Sequence, residues 1–350
     1  MPALSTAQFD SLTAAALAAP SADNKHVFRL ESCAEGMRIL ATEDFLQARD
    51  SRRVLGLISL GAVFQNLQIR AAGLGLRLEA AWDLDGGGGS RLIAILSASA
   101  MAAASDPLEP AIAVRHSNRR LRFRGPALSQ SEQRQFAIES ASVDATDVVW
   151  LDTPTLRTRS LRLIREAESE RFRNEELHRE LFDSIRFDVG WRASASEGLP
   201  VGALELPVFE RPAFVALRKW PIQRAANLIG VHRFIGWRAA ALPCRLAPHL
   251  CVVTADGPTE MAAVNAGRAL QRLWLRATLS GLSLQVFAAS PLYALDGSTA
   301  IGHELRDTLA AGWARLCPTG RPFAVFRMGY AAAPSVRAGR PGLDRFQIQQ

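Results

Sequence analysis

Residues 61–78 read GAVFQNLQIRAAGLGLRL, and residues 267–284 read GRALQRLWLRATLSGLSL. Laid over one another without a gap, they agree at eight of eighteen positions: Gly61 with Gly267, Gln65 with Gln271, Leu67 with Leu273, Arg70 with Arg276, Ala71 with Ala277, Gly75 with Gly281, Leu76 with Leu282 and Leu78 with Leu284. Each copy reads as an apolar helix, a glycine stop and a short strand. The bland alternative is chance likeness between two Ala/Leu-rich buried helices. Ungapped matches that include both glycines favour an internal duplication. A helix apolar nearly all round predicts burial on most of its sides.

Around this pair the pattern alternates. HVFRLES (26–32) and GMRILAT (36–42) read as strands. RLEAAWDLDGGGGSRLIAILSA (77–98) reads as two strands joined at Gly86–Gly89. APHLCVVTA (247–255) and PFAVFRMGY (322–330) read as buried strands, and SQSEQRQFAIESA (129–141) as an amphipathic helix. The fold class expected is α+β, with mixed or antiparallel sheets flanked by helices. The glycine run lacks a following Gly-Lys-Ser/Thr, so it is no phosphate loop, and no GxGxxG opens a βαβ unit.

The 350 residues are 48% hydrophobic and 21% charged, a globular composition with a formal charge of +7. Residues 1–106 hold nine basic and eleven acidic residues; the remainder holds 32 and 23. Most of those arginines alternate with acids, as in REAESERFRNEELHRELFDSIRFD (165–188), the pattern of a solvated helix face that leaves His178 and Glu175 in water. A nucleic-acid footprint needs arginines without acids between them. Cys33, Cys244, Cys251 and Cys317 lack zinc-like spacing, which predicts reduced thiols, no metal site and a cytoplasmic setting. MPALSTAQFDSLTAAALAAPS has no basic residue before Lys25 and reads as a short helix, not a signal peptide; no transmembrane span is expected. No Ser-His-Asp or carboxylate-pair constellation appears, so no catalytic residue is assigned.

One stretch breaks the alternation of charges: AIAVRHSNRRLRF (111–123), with Arg115, His116, Arg119 and Arg120 inside six residues. It resembles the flavin-phosphate motif of the nitroreductase superfamily, Arg-(His/Arg)-Ser-x-(Arg/Lys). APSADNKHVFRLE (19–31) resembles that superfamily's APSxxNxQPW segment, and FRMGYAAAPSVRAGRP (326–341) its closing strand and arm. ELHRELFDSIRFD (176–188), SEGLPVGALEL (196–206) and NAGRALQRLWLRATLSGL (265–282) are similar to segments of Acg-type nitroreductases, single chains that fuse two nitroreductase-like halves.

The resemblance implies FMN as cofactor and an internal pseudo-dimer, with further homodimerisation open. Residues 1–108 form the first half, with the Pro-Ser-Asn half-site. Residues 109–350 form the second, with the arginine half-site, a lid about 190–212 and a C-terminal arm. Arg115, His116, Ser117 and Arg119 are implied at the phosphate and ribityl, closed by Arg337 and Arg340. Pro20, Ser21 and Asn24 cross over from the first half, and Ala288 and Ala289 face the reactive edge of the flavin. Each half keeps one complementary half-site, which implies one complete site per chain. NKHVF (24–28) replaces NxQPW, so Lys25 and His26 are candidates to reach an anionic substrate or the flavin. The activity implied is electron transfer between NAD(P)H and a small electron-poor or specialised-metabolite substrate. The alternatives are a flavin-sequestering protein without turnover and, third, a basic nucleic-acid-binding protein.

Overall fold

The computed structural model describes residues 4–84 and 91–348; the Gly86–Gly89 run lies outside the described residues. The chain begins with α1 (Thr6–Leu17), β1 (Phe28–Cys33), β2 (Gly36–Ala41), α2 (Glu43–Gln47), α3 (Asp50–Gly73), β3 (Leu76–Trp82) and β4 (Leu92–Ala100). It continues with α4 (Gln130–Ala141), β5 (Thr146–Trp150), α5 (Pro154–Arg173), α6 (Glu175–Asp183), β6 (Ile185–Arg186) and β7 (Leu199–Pro200). The short helices α7 (Arg211–Leu217), α8 (Trp220–Asn227), α9 (Val231–Gly236) and α10 (Leu242–Arg245) follow. Then come β8 (His249–Ala255), α11 (Thr259–Leu279), β9 (Ser283–Phe287), α12 (Ala289–Tyr293), α13 (His303–Leu316), β10 (Arg321–Gly329) and β11 (Gln347–Ile348).

The two large sheets share one strand order. The first runs β1-β2-β4-β3 and the second β5-β8-β10-β9, all antiparallel. With the short α2, the excursion from α5 to α10 and the α12–α13 insertion set aside, both parts read helix, two strands, long helix, two strands. The leading helices even start alike: Ser5 with Gln8, and Ser129 with Glu132, each form a capping box. The C-terminal arm then crosses over. β11 adds to the first sheet parallel to β1, and Phe346 is buried in the first sheet's core.

The repeated helices meet at their shared glycines. A Cβ on Gly61 would lie 1.9 Å from the Val264 carbonyl oxygen, and one on Gly267 would lie 2.0 Å from that of Ile58. The backbones of α3 and α11 therefore touch, and one continuous apolar core joins both sheets across them. Gln271 Nε2 donates to Asn66 Oδ1 at 2.7 Å, and Asn66 Nδ2 donates to the Ala15 carbonyl at 2.8 Å, so buried amides tie the crossing to α1. Among the described residues α3 alone is long and apolar enough to cross a membrane, and it is buried here.

The charged stretch 165–188 departs from the sequence reading. Asn174 breaks it into α5 and α6 and caps α6 through its side-chain oxygen. Glu175 is exposed as expected, but His178 is buried: Nε2 bonds the Leu217 carbonyl at 2.9 Å and the ring packs on Phe182 and Trp220. Charge alternation does not say which turn of the helix faces the protein. All four cysteines are free and buried.

Replacing Gly267 with alanine is expected to destabilise the fold despite alanine's better helix propensity, worth about 1 kcal/mol. The added methyl would meet a backbone carbonyl that cannot rotate away, and overpacking costs about 1–3 kcal/mol or more. Urea unfolding of Gly267→Ala should show a lower midpoint at unchanged slope. A gain in stability would mean that α3 and α11 are not in backbone contact.

Candidate functional site

The site starts from the 115–120 stretch and the buried groups that hold it. Arg115 N–H donates to the Ala111 carbonyl at 2.9 Å, closing a helical turn. Asn118 is fully buried; its N–H bonds the Leu284 carbonyl, and its side chain donates to Ser283 Oγ at 3.0 Å and the Ala332 carbonyl at 2.9 Å. Beneath it Arg327 of β10, also fully buried, donates to the carbonyls of Arg120, Leu121 and Pro243 and to Gln285 Oε1. Its guanidinium lies 4.0 Å from the centre of the Phe123 ring. In an extended chain alternate side chains point opposite ways. With Asn118 and Arg120 spent on protein carbonyls and amides, Arg115, Ser117 and Arg119 line a cavity of about 280 Å³.

That cavity collects the eleven residues implied at the cofactor, but not the two substrate candidates Lys25 and His26. Pro20, Ser21, Asn24, Arg115, His116, Ser117, Arg119, Ala288, Ala289, Arg337 and Arg340 all line it. They arrive from α1's exit, the 115–119 stretch, the β9–α12 junction and the C-terminal arm. Asn24 lines the wall, but its amide is committed to protein: Nδ2 donates to the carbonyls of Ala195, Ser196 and Gly198, and Oδ1 accepts from Arg340 Nη1 at 2.6 Å. It sits at φ +57, next to Asp23 at φ +52, a left-handed pair that Asn and Asp tolerate best among residues with a Cβ. His116 is at the rim, with Nδ1 on the Val114 carbonyl at 2.9 Å. Lys25 is exposed and His26 is buried, and neither lines this cavity. Both lie instead along a separate surface depression with Arg29, Thr42 and Arg186.

The cations are held without counter-charges. Arg115 Nη2 donates to the Ala18 carbonyl at 2.8 Å and Arg340 Nη2 to that of Ala19 at 3.3 Å, both at the C-terminal end of α1 where carbonyls carry partial negative charge. Arg115 stacks over the Trp274 ring at 4.6 Å. Arg115, Arg119, Arg337 and Arg340 make no ion pair among the described residues, whereas nearby Asp23 and Glu180 are both taken by Arg52, at 2.7 Å each. Burial, then the neighbouring Arg340 guanidinium, push Arg115 down to about 9; burial also lowers Arg119 and Arg340. The buried Nε atoms of Arg115 and Arg340 and the Ser21 hydroxyl have no partner. Buried cations with open donors fit a bound polyanion, whose oxygens would fill those positions.

Several lining residues were not foreseen. Ser51 and Arg52 come from the first turn of α3, Arg171 and Glu180 from α5 and α6, and Trp274, Gln285 and Tyr293 from α11, β9 and α12. Trp274 reads from sequence as core. It is buried, yet one face borders the cavity. Only the position of the β9–α12 junction after the repeat gave a signal for these walls. Arg171 is paired with Glu168 at 3.3 Å.

The repeat register also locates a second position. Ala62, Leu270, Trp274, Gln285, Val286 and Ala288 of the cavity correspond to Arg268, Phe64, Gln68, Glu79, Ala80 and Trp82. These six counterparts also sit together, lining a shallow groove between β3, α3 and α11. There Trp82 packs edge-on to Phe64 at 5.2 Å, and Arg268 lies over Phe64 at 5.4 Å while donating to Gln68 Oε1 at 3.2 Å. Where the cavity has two alanines, the groove has an indole and a guanidinium.

No protein-family model matches the chain, and no curated protein does. Among solved structures it is similar to the FMN-dependent nitroreductase NfnB from Mycobacterium smegmatis in complex with NADPH, at 18% identity and a TM-score of 0.38, covering 69% of this chain and 97% of that one. A nitroreductase with bound FMN from Bacteroides fragilis gives 11% identity and 0.36, covering 65% and 90%. A putative NADH oxidase from Clostridium acetobutylicum gives 15% and 0.34, covering 69% and 99%.

His26 lies behind the arginine cluster, and burial, then Arg340, Arg29 and Arg115, hold its pKa down to about 3. Above pH 6.5 it is neutral in both folded and unfolded states. Between 6.5 and about 3 only the unfolded chain takes the proton, so stability falls with falling pH, by up to about 1.4 kcal/mol per unit from this group. His26→Gln should flatten the acid limb of unfolding free energy against pH relative to the parent, whose carboxylates contribute equally to both curves. Coincident slopes would mean that His26 is protonated in the folded protein.

Proposed function

We propose that the chain is an FMN-dependent oxidoreductase of the nitroreductase type, built as two fused halves, 1–108 and 109–350, that form an internal pseudo-dimer. The observation that carries the reading is that Arg115, Arg119, Arg337 and Arg340, none of them in an ion pair among the described residues, line one cavity assembled from both parts of the chain. A phosphomonoester carries close to two negative charges near neutral pH, and planar guanidinium forks match its oxygens. Arg115, Arg119, Arg337 and Arg340 hold that phosphate, with Ser117 and Ser21 as hydroxyl partners. Asn24 acts by orienting Arg340 and the 195–198 segment. Pro20, Trp274, Ala288 and Ala289 bound the volume left for a planar ring. FMN, when bound, supplies hydride and electron chemistry that none of the side chains here can supply. NAD(P)H is the reductant proposed, and the oxidant is a small electron-poor molecule admitted past Arg52, Arg171 and Tyr293. No side chain is assigned as general acid or base.

One site per chain follows from the duplication. Ala62 and Ala288 leave room that Arg268 and Trp82 occupy at the equivalent position. The second reading, flavin sequestration without turnover, is favoured by how the covering segment is pinned. Asn24 grips the carbonyls of residues 195, 196 and 198, Gly339 N–H bonds Ala195 O at 2.9 Å, and Ser194 Oγ bonds Arg337 O at 2.6 Å. Reduction by NADPH followed by reoxidation with a soluble quinone separates the two: a flavin that neither reagent reaches is sequestered.

Saturated protein is expected to release one FMN per chain; two would refute the single-site reading, and none the cofactor. Arg119→Ala should weaken FMN binding about ten- to a hundredfold, the loss of about 1.5–3 kcal/mol from one charge-assisted contact, with the fold retained. Ala288→Trp, which copies the occluded position into the cavity, should abolish binding. Unchanged affinity in both variants would sink the site.

A further inference from the structure

The excursion after β7 carries a surface unlike the rest of the molecule. From Arg211 to Ala255 the sequence holds seven arginines and lysines and no aspartate or glutamate. One of these cations is paired, Arg238 with Glu210 at 2.9 Å, and Arg211 is half-buried over the Trp191 ring at 4.6 Å. Arg218, Lys219, Arg224 and Arg233 are exposed, and none makes an ion pair among the described residues. Arg218 lies over the Phe187 ring at 5.0 Å, a contact that leaves its charge unneutralised.

Large apolar side chains stand among them. Phe209, Leu228, Ile229 and Phe234 are 81%, 88%, 85% and 61% exposed. Leu228 and Ile229 form the turn between α8 and α9, closed by Gly230 at φ +81. The inner sides of these helices are anchored: Phe214 and Ile235 pack against the cluster around Phe172 and Phe182, and Asn227 Nδ2 donates to the Phe172 carbonyl at 2.8 Å. Leu228, Ile229 and Phe234 are therefore left on the outer side of these helices, and Phe209 is exposed just ahead of α7. A soluble surface rarely clusters such residues without a use for them.

We propose that this face docks on an anionic lipid surface, with the Leu228–Ile229 tip and Phe209 and Phe234 entering the headgroup–acyl boundary and Arg218, Lys219, Arg224 and Arg233 meeting phosphate headgroups. Two features of this face choose the occupant. A second copy would set four unpaired cations against four more, so self-association is opposed by charge. Apolar residues at an exposed turn flanked along the chain by cations are the arrangement by which a peripheral segment inserts into a lipid interface. The contact is peripheral, since α7 to α9 are too short to span a bilayer.

Sedimentation of the full-length protein with vesicles tests this. It should pellet with phosphatidylcholine vesicles containing phosphatidylglycerol and not with phosphatidylcholine alone, and high salt should release it. The Leu228→Ser/Ile229→Ser double variant, and separately the Arg218→Gln/Lys219→Gln/Arg224→Gln/Arg233→Gln variant, should each lower partitioning about tenfold or more while the thermal midpoint stays close to the parent's. Failure to pellet with anionic vesicles at low salt overturns the proposal, as does equal binding to neutral vesicles or unchanged binding by both variants. A dimer in size-exclusion chromatography that Leu228→Ser/Ile229→Ser dissolves, without vesicle binding, assigns the face to a second copy instead.

Discussion

Two helix backbones touch at Gly61 and Gly267, and the rest of the molecule is arranged around that contact. Each glycine faces the other helix's carbonyls at distances that leave no room for a methyl group. Closing this gap lets α3 and α11 share one apolar core between two sheets of identical strand order. It also fixes what lies at the two ends of the crossing. The first turn of α3 and the last turns of α11 come to one cavity, where Arg52 and Trp274 are both wall residues. Interiors this dense do not deform smoothly, so the crossing sets the cavity's width as well as the core's stability.

The cavity's charge is a cost the fold carries deliberately in its geometry. Arg115 and Arg340 are desolvated, lean on the carbonyls that end α1, and lack carboxylate partners. Taking charges from water without pairing them is unfavourable. What holds them there is a scaffold of hydrogen-bonded polar groups: Asn118 saturated by β9 and the arm, and Arg327 spending its donors on the carbonyls of Arg120, Leu121 and Pro243 and on Gln285. Arg327 spends its donors on protein acceptors, whereas the buried Nε atoms of Arg115 and Arg340 have no partner. That contrast, more than the number of arginines, is what the proposed anion site rests on.

The two repeated segments carry unequal side chains, so the molecule is not symmetric in its chemistry. The repeat register brings Phe64, Gln68, Trp82 and Arg268 together at the second position, where they pack on one another. The C-terminal arm completes the asymmetry, because it crosses to pair with β1 and delivers Arg337 and Arg340 to the cavity on its way. An arm can be in one place only. The long excursion covers the same cavity with Leu199 and Ala203 and presents the cationic, apolar-tipped face on its outer side.

The repeat, the strands flanking it, the capped helix at 130–141 and the grouping of Arg115, Ser117 and Arg119 were legible in the sequence, because periodicity, capping residues and local charge density are properties of neighbours along the chain. The resemblance could name eleven residues that line the cavity because its motifs are short contiguous segments. The walls supplied by Arg52, Arg171, Glu180 and Tyr293 were not legible, since helical spacing says which residues share a face but not which face meets the cavity. His178 shows the same limit, being buried in a stretch whose charges read as solvated. Asn24's role as a brace for Arg340, and the placing of Lys25 and His26 outside the cavity, depend on backbone angles at 23–24 and on carbonyls some 170 residues distant in sequence. Local sequence sets which groups are available; long-range packing decides which of them are satisfied, and only the unsatisfied ones are left to bind.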